Sequence, residues 1–190
     1  MNRILIIAAH PDDEDFGCGG TIAKLSDQCV TINVALLVDG VFSHACDSVL
    51  HQPELTARRT AAQKARDVLG VKSLSFGDFR DNRTATVALL DITEVVEALI
   101  TEHRANTILT HYSGDVNLDH RRIYEAVVTA CRPQLGYPVK TQLSFEVPSS
   151  TEWQLPDSVP VFSPNWVVDI SDMLDRMVAA LNDYAVEVRA

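Results

Sequence analysis

Apolar positions along this chain recur in two rhythms, and the alternation of the two predicts a layered α/β architecture. Residues 3–9 form an unbroken apolar run, the pattern of a strand buried on both faces of a parallel sheet. β-Branched and apolar residues return over 31–38, and more briefly at 73–76, 107–110, 141–147 and 166–170; each stretch reads as a strand. Between them the period lengthens. Leu55, Ala61, Ala62, Ala65, Val68 and Leu69 recur at helical spacing over 53–69, and Gly70 is a natural stop. Residues 88–102 are strongly amphipathic, and 119–131 read as the helix that follows the strand at 107–110. Over 171–188, Met173, Leu174, Met177, Leu181 and Tyr184 fall on one helical face. Gly17, Gly19 and Gly20 predict a turn ahead of a helix over 21–27. Strands alternating with helices predict a Rossmann-like, mostly parallel sheet flanked by helices, with right-handed crossovers. Two stretches, 39–52 and 148–164, fit neither rhythm. They exceed ordinary connections and are candidate rim loops, serving as a lid or as a subunit interface of a homo-oligomer.

Size and charge narrow the picture. The 190 residues, 46% hydrophobic and 22% charged, predict one domain over 1–190 with its own apolar core. A formal net charge of −10 argues against nonspecific binding to nucleic acid or anionic lipid, which needs clustered Lys and Arg. Cys18, Cys29, Cys46 and Cys131 form no C-x-x-C pair, which fits free thiols and a cytoplasmic setting. The first apolar run is too brief for a signal core, and no stretch predicts membrane insertion.

The chemistry concentrates directly after the first strand, in Ala8-Ala9-His10-Pro11-Asp12-Asp13-Glu14. A strand end is where an open α/β sheet builds its site. An imidazole beside carboxylates is a ligand set for zinc or a similar divalent ion. His10 and Asp13, three apart on one turn, can reach one ion. His120, in the first turn of the helix after the 107–110 strand, is the best third ligand, because that junction opens on the same sheet edge. Asp12 then faces the fourth coordination position as general base. Glu14 either orients His10 or merely solvates the turn. His111, at the end of a strand, either orients groups or binds substrate. His44, His51 and His103 read as solvated side chains. The glycines around Cys18 do not match G-x-G-x-x-G, and nearby carboxylates would raise the Cys18 pKa, so neither a dinucleotide nor a thiol nucleophile is expected.

These residues resemble the PIG-L/LmbE-like N-deacetylases. The first motif runs from Ala8 through Glu14 and continues to Gly19-Gly20-Thr21; the second is Asn117-Leu118-Asp119-His120-Arg121; Arg58-Arg59 with the helix to Gly70 resembles the segment between them. The resemblance covers roughly residues 3–132. It implies a Rossmann-like sheet, a divalent metal (zinc, or Fe2+, Co2+ or Mn2+), and removal of acetyl from an N-acetylglucosamine-type sugar or sugar conjugate. His10, Asp13 and His120 match the family's ligands and Asp12 its base. Arg58, or its neighbour Arg59, and Asp81 match regions that contact substrate in relatives. Some members carry a histidine where this chain has Asn117, which can donate a hydrogen bond but no proton, so Asp12 would serve both proton-transfer steps. Two other readings stand beside this one: an amidase of a non-sugar amide, such as an antibiotic precursor or thiol conjugate, and a catalytically silent metal- or partner-binding domain. Phe145 to Trp153 resembles a segment of bacterial relatives linked to surface polysaccharides, where Trp153 would stack on a sugar or close the core.

Overall fold

The computed structural model describes residues 3–41, 52–155 and 157–184. Five strands, β1 (Arg3–Ala8), β2 (Thr31–Val38), β3 (Ser73–Phe79), β4 (Thr107–His111) and β5 (Thr141–Phe145), form one parallel sheet in the order β3-β2-β1-β4-β5. Among the described residues, five α-helices connect or close it: α1 (Asp13–Asp27), α2 (Gln52–Leu69), α3 (Leu89–His103), α4 (Leu118–Ala130) and α5 (Leu174–Asn182). No helix among the described residues is long and apolar enough to cross a membrane.

Strand β1 explains why the sheet is covered on both sides. Its side chains alternate faces, as strand geometry requires. Ile4, Ile6 and Ala8 pack with Ile22, Ala62, Ala65, Leu69 and Ala180 of α1, α2 and α5. Leu5, Ile7 and Ala9 pack with Ile92, Val96, Ile100, Ile123 and Val127 of α3 and α4. The chain moves outward from β1 to β2 and β3, then returns across it to β4 and β5. The order therefore reverses between β1 and β4, and a crevice opens at their carboxyl ends, the usual ligand position in such sheets.

Three expectations need correction. Helix α1 begins at Asp13, not at residue 21, with a break at Cys18 (φ −151°). The glycines serve close packing instead of a turn: a Cβ at Gly17 would lie 2.2 Å from Phe145 Cδ2, and one at Gly20 2.5 Å from Ile170 Cδ1. Residues 166–170 form no strand. Trp166, Val167 and Val168 instead line, together with edge strand β5, a groove of about 1070 Å³. Strand β5 ends at Phe145, because the Val147 carbonyl already accepts the Ser150 and Thr151 N–H groups of a tight turn (2.9 and 2.8 Å). The other elements agree with the periodicity within a few residues. His44, Cys46 and His51, with most of the 39–52 stretch, lie outside the described residues, as does the end of the helix expected to reach 188.

Candidate metal centre

His10 follows β1, Asp13 opens α1, and His120 is in the first turn of α4, so two strand–helix junctions meet at the crevice. His10 Nδ1 lies 3.3 Å from Asp13 Oδ2, His120 Nε2 lies 3.2 Å from the same oxygen, and the two nitrogens are 3.3 Å apart. Four ligands around zinc with bonds of about 2.0–2.1 Å would be separated by roughly 3.3 Å. The three donor atoms thus fit one face of a zinc tetrahedron, with the fourth vertex left for water or substrate. The His10 N–H donates to Asp13 Oδ2 (2.7 Å) and fixes that carboxylate to the turn.

A carboxylate backs each imidazole. His10 Nε2 faces Asp119 Oδ2 at 3.2 Å and Asp81 Oδ1 at 3.3 Å. Asp119 also accepts from the Asn82 N–H (2.7 Å), the Thr84 N–H (3.3 Å) and the Thr84 hydroxyl. On the other side, His120 Nδ1 faces Asp115 Oδ2 at 3.2 Å. Such partners orient a ligating imidazole and raise its basicity. They also govern protonation in the metal-free protein. Burial would lower the His120 pKa, but the Asp13 charge and the Asp115 bond outweigh it, and the pKa rises to about 9. Burial opposes protonation of His10 as well, and bonds from Asp119, Asp13 and Asp81 carry it well above the ordinary value. Burial pushes Asp13 upward, yet the His120 charge and the bonds from His10 and His120 hold it well below the usual carboxylate range.

Asp12 sits beside Asp13 with φ 115° and ψ −27°, a strained conformation for a residue with a Cβ. Its carbonyl accepts the Asp15 and Phe16 N–H groups, both at 3.0 Å, and its N–H donates to Glu14 Oε2 (3.2 Å). Glu14 Oε1 accepts from the Tyr184 hydroxyl (3.2 Å). Glu14 is buried and so neither solvates the turn nor bonds His10; it braces the backbone of Asp12. Burial, with the Asp13 charge, pushes the Glu14 pKa up to about 7.

The other expected site residues divide. Asp81 reaches His10, and its own N–H is held by Asp39 Oδ1 (3.0 Å). The Arg58 guanidinium lies against Gly40, whose other neighbour is Pro11, and it bonds Glu54 Oε1 (3.3 Å). Asn117 caps α4, its Oδ1 accepting from the Asp119 and His120 N–H groups (2.8 and 3.5 Å). His111 is 0% exposed, which places it beneath the cluster and not at its mouth. Its Nε2 accepts the Ala9 N–H at 2.8 Å. Burial and the neighbouring His120 hold its pKa well below 6.5, so the ring is neutral. Of the two roles expected for it, this placement suits support, not contact with substrate. The sequence reading missed the backing role of Asp115 and Asp119, and also Thr84, Ser150, Thr151 and Tyr184. The one available signal was a run of acidic residues around His120; the hydroxyls carry none.

This fold, with a metal-type cluster at the β1/β4 crevice, is that of the LmbE-like deacetylases. The chain belongs to the PIG-L family: residues 5–131 match the family described as GlcNAc-PI de-N-acetylase. It is 30% identical to the uncharacterized deacetylase YaiS of Escherichia coli over 151 residues, 75% of this chain and 77% of that one. It is 29% identical to diacetylchitobiose deacetylase of Thermococcus kodakarensis, over 97% of this chain and 69% of that one. Among solved structures, the A40926 pseudoaglycone deacetylase Dbv21 superposes with a TM-score of 0.75 at 22% identity, covering 98% of this chain and 82% of that one.

Proposed function

We propose that this chain is a zinc-dependent hydrolase that removes the N-acetyl group from an N-acetylglucosamine-type sugar or sugar conjugate, releasing acetate and a free amine. The observation that carries the proposal is the 3.2–3.3 Å triangle of His10, Asp13 and His120 donor atoms beside a strained Asp12. The family match and the likeness to a diacetylchitobiose deacetylase support the sugar substrate. A divalent ion held by the three ligands would supply Lewis acidity to the amide carbonyl and lower the pKa of water to about 7.

The chain's own residues do the rest. Asp12 takes a proton from the attacking water and returns it to the departing amine, since no imidazole occupies position 117. Asn117 Oδ1 is committed to the helix cap, which leaves its amide N–H to donate to the oxygen that gains charge. Arg58 and Asp81 offer a guanidinium and a carboxylate to sugar hydroxyls or a phosphate on the conjugate. His111 supports the ligands from below.

The test is acetate and free-amine release from N-acetylglucosamine, its oligomers and glycosides, set against non-sugar N-acetyl amides, with metal analysis of the same sample. Turnover restricted to non-sugar amides would transfer the assignment to an amidase. No turnover by a fully zinc-loaded sample would leave a silent binding domain.

A further inference from the structure

We infer that the turn after β5, through Ser150 and Thr151, positions the His120 ligand and thereby sets how tightly the chain holds its ion. This rests on the proposed role of His120 as a ligand.

The hydroxyl protons decide it. Thr151 Oγ1 accepts the Val147 N–H at 2.9 Å, so its single proton is free to go to Asp115 Oδ2, 2.7 Å away. Ser150 Oγ donates to the same oxygen at 2.8 Å. Having spent its proton there, Ser150 can only accept from His120 Nδ1, which lies 3.3 Å away. His120 Nδ1 therefore faces two acceptors, the Asp115 carboxylate and the Ser150 oxygen, and must carry the hydrogen. The tautomer that remains leaves the Nε2 lone pair directed at Asp13 and His10, where the ion belongs. Asp115 has no freedom to drift. It is 0% exposed, its Oδ1 accepts the Asn117 N–H at 2.7 Å, and its carbonyl accepts Gln154 Nε2 at 3.1 Å. The turn from Val147 to Gln154 is thus bolted to the far side of a ligand histidine. Residues from a loop in the C-terminal third complete a centre whose ligands all lie in the first 120.

The experiment measures zinc affinity by competition with a chromophoric chelator, alongside the imidazole 15N spectrum of the metal-free protein at a pH where the His120 ring is neutral, which reports the tautomer directly. Variants are Thr151→Val, Ser150→Ala, the two combined, Thr151→Ser and His120→Ala. The combined variant should bind zinc about 10- to 100-fold more weakly, with a mixed His120 tautomer. Thr151→Ser, which keeps the hydroxyl, should restore wild-type affinity. If the combined variant fails to fold, the contrast between Thr151→Val and Thr151→Ser decides the same point. Unchanged affinity and tautomer in Thr151→Val, whatever its melting temperature, overturns the positioning role. The His120→Ala arm separates the two levels. If that variant binds zinc like the wild type, the ligand assignment fails; if it loses zinc while the turn variants do not, only the role of the turn fails.

Discussion

His111 lies flat against His120, with ring centroids 3.9 Å apart and planes within 10°. One imidazole is placed to bind an ion, and the other is sealed beneath it as a neutral shelf, holding the Ala9 N–H with its Nε2. The shelf joins the end of β1 to the proposed ligand on α4, so the two strand–helix junctions meet through a buried ring.

His111→Ala should therefore injure stability and metal retention without altering substrate affinity. The lost ring leaves a cavity and strands a buried N–H, together costing about 2–4 kcal/mol. Thermal unfolding reads the stability loss and chelator competition the weaker zinc binding. KM should stay near wild type; a large rise in KM would place the ring in contact with substrate.

Asp12 offers a test in which stability and turnover move oppositely. Asp12→Gly should lower kcat by about 10²- to 10⁴-fold, through loss of the base. Glycine also tolerates positive φ, so relief of the strain at φ 115° should stabilise the fold by about 1 kcal/mol. Zinc content should be unchanged. Activity within tenfold of wild type would remove Asp12 from the proton-transfer role.

Asn117 carries a structural and a proposed chemical task, and two substitutions separate them. Asn117→Ser keeps a capping oxygen, whereas Asn117→Ala loses it and about 1 kcal/mol of stability. Both remove the amide donor. Equal losses of kcat with unequal melting temperatures would assign the catalytic effect to the donor; kcat that tracks melting temperature would assign it to the cap.

Zinc binding should tighten as pH rises towards about 9. In the metal-free protein the His120 pKa is raised to about 9, so at neutral pH the ring is charged and its proton must leave before the ion binds. Apparent affinity should increase about tenfold per pH unit for each such proton, and the His120 contribution should level off above pH 9. The metal-free fold should show the opposite trend. The stability from charged His120 is complete below pH 6.5, the ordinary histidine value, and disappears as pH climbs through about 9. Calorimetry in buffers of different ionisation enthalpy would count the released protons; a pH-independent affinity between 6.5 and 9 would contradict the raised pKa.

The legible parts of this chain were those where chemistry and periodicity coincide. Residues 4–9 are apolar throughout because both faces of β1 are covered, and the same run marks the strand end where His10 stands. His120 could be matched to His10 because parallel strands deliver their following loops to one edge. The glycines after Glu14 were misread, because Gly17 and Gly20 answer to Phe145 and Ile170, contacts distant in sequence. Residues 166–170 have the composition of a strand, but strand formation needs a neighbour's hydrogen bonds, and composition is silent on that. Ser150 and Thr151 look like ordinary turn formers; only proximity to Asp115 gives them more to do.

The reversal of strand order at β1 has a further consequence. The imidazoles of His10 and His120 are 110 positions apart, and neither half of the chain holds the whole proposed ligand set. An ion captured there closes a long covalent circuit, so it acts as a rivet across the middle of the molecule. Acquisition of the proposed metal would then wait until the sheet has closed, and stripping the ion should loosen both layers of the fold at once instead of a single edge.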